Sequence, residues 1–210
     1  MSYLLHIDAS SVGTTSISRQ VAASFRSAWA GDVVYRDLAS TPAPHLTAAG
    51  ISARITDPAL HTPEQAASAA TQDELVEEFL GAGGYLFTVP MYNYSMPSVF
   101  KAWLDQISIV GRTIVVPQGL PAAGRPAVVV SARGGSYAPG TPNHGMDFLM
   151  PTLELVLGPR TLGLDVSTIT PELTLAPVVP QLAAFIGLHE ASLLDSHTRA
   201  RELAGAFALV

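Results

Sequence analysis

The chain of 210 residues contains no cysteine. That excludes disulfides, a thiolate nucleophile and any metal site built on sulfur. Charge is scarce too: charged residues make up 13% of the chain, its 11 Lys and Arg are scattered, and the formal net charge is -6. A nucleic-acid backbone needs clustered Lys and Arg, so that class of partner is not expected. No uncharged apolar run approaches the roughly 20 residues that span a bilayer. The amino terminus passes from Met1 into a strand-like run with no basic lead-in, so no secretory leader is expected. HExxH, GxSxG, GxGxxG and the lysine-bearing triphosphate loop are all missing. Their absence argues against a zinc enzyme, an elbow-type serine hydrolase, a dinucleotide fold and a P-loop enzyme. The expectation is a cytoplasmic protein with no metal and no nucleic-acid or membrane partner.

What is present is apolar. A hydrophobic content of 48% marks a well-buried globular chain. With so little charge, it also suits a protein that hides surface against a second subunit. The length favours one domain over residues 1–210. Tyr3 to Ile7, Val33 to Tyr35, Tyr85 to Val89, Ala127 to Ser131 and Leu164 to Ile169 read as strands. Ile17, Val21, Ala22, Phe25 and Trp29 recur at helical spacing. Thr62, Pro63 and Glu64 start a second helix, which runs to about Leu80 and ends at Gly81, Gly83 and Gly84. Further helices are expected from Pro97 through Ile107, from Asp147 to Leu157, and from Pro180 to about Phe207. Residues 37 to 62 read as one long connection. Strands and helices alternate without hairpin signals, which implies right-handed crossovers and a parallel sheet covered on both faces. The fold class is α/β, a three-layer sandwich; the order 2-1-3-4-5 for its five strands is an expectation that rests on the family resemblance of the Gly84–Ile107 stretch. Its ligand belongs at the switch point beside the first and third strands.

Three loops follow the strands at that edge. The first, Ser10 to Ser18, brings hydroxyls and backbone N–H groups to a helix amino terminus, which favours an anion such as a phosphate monoester. By itself it is equally an ordinary serine-rich cap. The second, Pro90, Met91, Tyr92, Asn93 and Tyr94, offers phenol rings, an amide and a thioether, the parts a flat aromatic ligand needs. Composition alone would also fit a strand end with core aromatics. The third, SARGGSY from Ser131 to Tyr137, has two glycines that let a backbone approach a ring closely. An isolated Gly-Gly pair is otherwise a simple turn. Together they match FMN, which has a phosphate, a tricyclic ring and a polar edge.

The stretch GYLFTVPMYNYSMPSVFKAWLDQI, from Gly84 to Ile107, resembles the flavin-binding loop of FMN-dependent NADH-azoreductases and NAD(P)H:quinone oxidoreductases, which are flavodoxin-like proteins. The string PMYNY–PS–KAW–D carries the likeness through strand, loop and helix in register. The resemblance implies phosphate contacts from Ser10, Ser16, Ile17 and Ser18. It implies ring and ribityl contacts from Pro90, Met91, Tyr92, Asn93 and Tyr94. It implies pyrimidine-edge contacts from Ser131, Ala132, Arg133, Gly134, Gly135 and Tyr137. Ala132 stands where the family usually has serine or threonine. The family resemblance further implies NADH or NADPH as hydride donor, a small electron-poor acceptor such as a quinone or azo compound, and a homodimer with shared sites.

Two segments depart from the family pattern. Arg112 to Gly124 is shorter, with Thr113 followed by Ile114, and Leu157 to Gly163 is altered. Both are expected to remodel the substrate half of the site. They motivate a second reading, an enzyme of the same fold acting on one pathway intermediate. A flavodoxin-like electron carrier is the third. Of the histidines, His144 is expected to face substrate. His6 is expected in strand packing, His45 and His61 in the long connection, and His189 and His197 at the surface or an interface. Arg54, Arg125, Arg133 and Arg160 are candidates for a 2′-phosphate. No catalytic side chain is assigned, since hydride transfer needs no protein acid.

Overall fold

In the computed structural model, which describes residues 3–207, five strands form one parallel sheet in the order β2-β1-β3-β4-β5. They are β1 (Tyr3–Asp8), β2 (Val33–Asp37), β3 (Ala82–Thr88), β4 (Pro126–Val130) and β5 (Asp165–Ile169). The helices are α1 (Ile17–Ala28), α2 (Ala48–Ala53), α3 (Pro63–Gly81), α4 (Ser98–Ile107), α5 (Met150–Leu157) and α6 (Ile186–Phe207). The expected fold class and strand order are both present. Among the described residues no helix is long and apolar enough to cross a membrane.

Alternation along the strands sorts the core into two layers. Leu4, Leu86, Val128 and Val130 pack with Val21 and Phe25 of α1 and Ala200 and Leu203 of α6. Leu5, Ile7, Tyr85, Phe87 and Val129 pack with Val76 and Phe79 of α3, Trp103 of α4 and Leu153 of α5. The valine run 128–130 is thus divided between the faces, the reason a strand buried on both sides shows no polar alternation.

Three expectations are corrected here. The long connection contains structure of its own: α2, capped by Thr47 Oγ1 on Gly50 N–H, and a short 3-10 turn at Pro58–Leu60. Its weak helical periodicity hides them, because each is only one or two turns long. Gly83 and Gly84 belong to β3 and not to a helix stop, since α3 runs into the strand with no loop between. His189 is buried, with Nδ1 3.3 Å from the Glu172 carbonyl, whereas His197 stays partly exposed, its Nδ1 paired with Ser24 Oγ at 2.8 Å. Their helix packs along α1, which a sequence pattern with low amphipathicity does not reveal.

Candidate active site

The carboxyl ends of β1, β3 and β4 lie side by side, in register from Asp8 to Thr88 to Val130. Each is followed by one of the three loops. The first is held from beneath by charge. Asp8, 1% exposed, accepts the Ser10 N–H at 3.0 Å and the Tyr35 hydroxyl at 3.0 Å. Arg19 Nε lies 3.1 Å from the same carboxylate, and its Nη2 donates to Asp37 at 3.0 Å and to the Ser10 carbonyl at 2.8 Å. Burial lifts the Asp8 carboxyl above its ordinary value, against the pull of the Ser10 N–H and Arg19. Nearby, His6 donates to or accepts from Thr88 Oγ1 at 2.8 Å. Burial, with Arg26 and Arg19 adding to it, pushes its pKa down to about 3, so the ring is neutral at physiological pH.

On this base the loop presents itself to solvent. Ser10 Oγ donates to Ser16 Oγ at 2.8 Å, and Ser16 caps α1 by accepting the Arg19 N–H at 3.3 Å. Ser11 to Thr15 are exposed, and nothing lies within 4 Å of where a Gly13 side chain would start. The N–H groups of Ile17 and Ser18 fall in the first helical turn, where intrahelical acceptors do not exist. The helix dipole adds a partial positive charge there.

The second loop is a tight turn. Tyr92 and Ser95 exchange N–H···O bonds of 2.9 and 3.0 Å around Asn93 (φ 49°) and Tyr94 (φ 68°). Asn tolerates the left-handed region, whereas a bulky tyrosine there is an outlier. Strain of this kind concentrates at functional sites. Tyr94 is half-exposed in spite of its ring. Pro90 is buried behind the turn.

The third loop is locked to the segment after β5. Arg133 is buried, with Nη2 2.8 Å from Asp147 and Nη1 3.4 Å from Glu172. Its guanidinium lies 5.5 Å from the centre of the Tyr137 ring. Burial raises the Tyr137 phenol pKa, and the neighbouring Tyr94 adds to it. A side chain on Gly134 would start 2.7 Å from Leu175, and one on Gly135 would start 2.6 Å from Asn143. The crowding that these two glycines avoid is with the protein's own chain.

The loops are laced to one another. Tyr92 Oη accepts the Ser11 N–H at 3.1 Å, Ser18 Oγ accepts the Ala132 N–H at 3.1 Å, and Met91 N–H donates to the Ala132 carbonyl at 3.0 Å. A buried hydroxyl, Ser131 Oγ, has no protein partner among the described residues. First-turn donors, a strained aromatic turn and an unsatisfied hydroxyl at one sheet edge fit the phosphate, ring and polar edge of a flavin mononucleotide.

Of the remaining candidates, Arg54, Arg125 and Arg160 are not gathered here. His144 sits exposed in the turn after the third loop, its N–H bonded to the Thr141 carbonyl at 3.1 Å. Arg54 is used by Gln72 and by the carbonyls of Ser108 and Asp105. Arg125 holds the carbonyls of Leu80 and Ala82 at the amino end of the sheet, and Arg160 precedes β5 at that same end. The altered segments belong to this opposite end as well: Gly124 N–H donates to the Gly163 carbonyl at 2.8 Å, just before β4 and β5 begin. Within the chain they therefore do not remodel the crevice, contrary to expectation. Among the described residues no group of three or more His, Asp or Glu could hold a metal ion. Sequence reasoning missed Asp8, Arg19, Asp37, Asp147 and Glu172. The acids Asp8 and Glu172, at or just past a strand's end, were the signal available.

Fold and site together define a mononucleotide-binding α/β protein. A family model for the flavodoxin-like fold matches residues 2–170. The FMN-dependent NADH:quinone oxidoreductase of Streptomyces coelicolor is 46% identical over 213 residues, covering 97% of this chain and 96% of the relative. Its counterpart in Streptomyces avermitilis is 43% identical over 218 residues, covering 99% and 100%. Among solved structures, an azoreductase from Bacillus anthracis superposes with a TM-score of 0.82 at 22% identity, covering 99% of this chain and 100% of that one. The chain belongs to the flavodoxin-like family, alongside the FMN-dependent NADH:quinone oxidoreductases.

Proposed function

We propose that this protein is an FMN-dependent NAD(P)H oxidoreductase that reduces quinones, azo compounds or similar electron-poor acceptors. The observation that carries the reading is the lacing of three loops, each matched to one part of FMN, on a chain 43–46% identical end to end to FMN-dependent NADH:quinone oxidoreductases. When bound, FMN supplies a two-electron relay between nicotinamide and acceptor. Ser10, Ser16, Ile17 and Ser18 would hold its phosphate. Pro90, Met91, Tyr92, Asn93 and Tyr94 would flank the ring and ribityl chain. Ser131, Ala132, Arg133, Gly134, Gly135 and Tyr137 would take the polar edge. Of these, Arg133 gives Nη2 to Asp147 and Nη1 to Glu172, and its buried Nε, which has no protein partner among the described residues, remains able to donate. We assign no catalytic side chain; Tyr92, Tyr94, Tyr137 and His144 are the groups able to exchange a proton at this edge.

The chain works as one FMN-binding unit over residues 1–210, and its setting is the cytoplasm, where the nicotinamide donor resides. We further propose a homodimer with each site shared. In support, Ile55, Leu60, Val110 and Val115 are 89%, 74%, 70% and 72% exposed. Of these, Val110 lines a hollow of about 530 Å³ between α2, α3 and the turn after α4. Val115 is also held at φ 50°, an unusual conformation for a β-branched residue. A partner subunit is what would bring this turn to a crevice, and with it the departures at 112–124. Anaerobic titration of the FMN-loaded protein with NADH tests the enzyme reading. Prompt, stoichiometric bleaching of the flavin band is expected. Bound flavin that NADH leaves coloured would rule out a nicotinamide-linked reductase.

A further inference from the structure

We infer that Glu172, which lies outside all three loops, is the positioning residue that fixes the 131–137 loop and thereby tunes a flavin held against it. The inference rests on the FMN reading above.

The backbone pairing of β4 with β5 continues past both strands. Ser131 N–H donates to the Ile169 carbonyl and Arg133 N–H to the Pro171 carbonyl, each at 2.9 Å. The downstream chain then turns at Leu173, φ 56°, and runs back under the loop. Thr174 N–H donates to the Arg133 carbonyl at 3.0 Å, Leu175 N–H to Gly134 at 3.3 Å and Leu173 N–H to Gly135 at 3.2 Å. Three successive carbonyls are thus taken from one side. That leaves the N–H groups of Gly134 and Gly135 without a protein acceptor among the described residues.

Glu172 supplies the rest of the fixing. Its Oε2 accepts the Ser136 hydroxyl at 2.6 Å. Its Oε1 accepts the Tyr137 N–H at 3.2 Å and lies 3.4 Å from Arg133 Nη1. One carboxylate therefore binds both ends of the Arg133–Tyr137 segment, and Asp147 closes the other arm of the guanidinium. Glu172 is itself held by α6: its N–H donates to Ser192 Oγ at 3.0 Å, and the buried His189 meets its carbonyl. The left-handed Leu173 is the strain that lets the chain fold back beneath the glycines.

A neutral amide in place of the carboxylate turns charge-assisted contacts into ordinary ones: the Ser136 hydroxyl can rotate to accept from the NH₂, but the hold on the Tyr137 N–H weakens and Arg133 loses the charge that faces Nη1. The loop would then relax, and with it the Gly134 and Gly135 N–H groups. Preorganised donors act most on the redox state that carries more negative charge at the ring edge. Loosening them weakens the hold on reduced FMN more than on oxidised FMN.

The test is to measure the two-electron potential and visible spectrum of bound FMN, and the affinities for FMN and riboflavin, in wild type and Glu172→Gln. A tenfold loss of preference for the reduced form is expected, a fall of about 30 mV for a two-electron couple. The spectrum shifts, and FMN and riboflavin affinities fall by the same factor, since the phosphate loop is untouched. Glu172→Asp recovers part of the potential. Glu202→Gln on α6, where among the described residues Glu202 pairs with Arg199, removes the same charge and leaves the potential unchanged. If Glu172→Gln does not fold, Ser136→Ala removes one of the bonds and shifts the potential in the same direction. A wild-type potential and spectrum in the folded variant, or in Ser136→Ala where the first does not fold, overturn the inference. Failure of the wild-type protein to bind FMN overturns the reading beneath it instead.

Discussion

Tyr94 shows how a single residue at this edge trades stability for shape. A bulky left-handed residue costs on the order of 1–3 kcal/mol. Glycine in its place relieves that strain, but it returns about 0.5–1 kcal/mol of freedom to the unfolded chain. Tyr94→Gly is therefore expected to leave the apoprotein unchanged or more stable by about 1 kcal/mol, while FMN affinity drops severalfold. Urea unfolding and a flavin titration check the two halves. A large loss of apoprotein stability would mean that the ring serves the core. At this scale the sequence was uneven to read. Tyr92, Asn93 and Tyr94 stood out because aromatic and amide groups clustered after a proline. Glu172 and Asp147 did not, because their partners lie 39 and 14 positions away along the chain from Arg133, and nothing local marks a contact that folding alone creates.

Among the elements, α3 carries the clearest local code. Thr62 Oγ1 accepts the Gln65 N–H at 3.2 Å while Gln65 Oε1 accepts the Thr62 N–H at 2.8 Å, a complete capping box with Pro63 in the first turn. Thr62→Ala is expected to cost about 1 kcal/mol without changing flavin affinity, because α3 touches none of the three loops' cap groups. Thermal unfolding with and without FMN separates these effects, and weakened FMN binding would contradict the assignment. Long periodic or strongly capped elements such as α1 and α3 could be read directly. The start of α5 could not: Asp147 Oδ1 takes the N–H groups of Leu149 and Met150 at 3.0 Å each, so the helix begins three residues after the acid that caps it. The helix α2 was hidden by being too short for a period to show.

For the whole molecule, the parallel sheet followed from alternation and from the absence of hairpins, while its strand order came from the family resemblance of the Gly84–Ile107 stretch. What the far ends of the sheet do was not legible. The altered 157–163 segment was expected near substrate, yet strand direction carries it to the other end. Assembly is the property to measure at this scale. Sedimentation should give twice the chain mass for wild type. Leu60→Asp, placing a charge on the exposed apolar face, should shift the protein toward single chains. A wild-type protein that sediments as a single chain at micromolar concentration would exclude the shared-site arrangement.

The strap beneath the glycine loop also sets an order of events during synthesis. The first two loops can take their places once β3 and α4 have left the ribosome. The third cannot, because its carbonyls and its arginine wait for residues 171 to 175, and Glu172 in turn waits for Ser192. A nascent chain therefore leaves the 131–137 loop unfixed until nearly all of it has been made. A chain that stops before α6 is then expected to lack the support of Glu172, and with it the fixed third loop, although every residue of that loop has been translated.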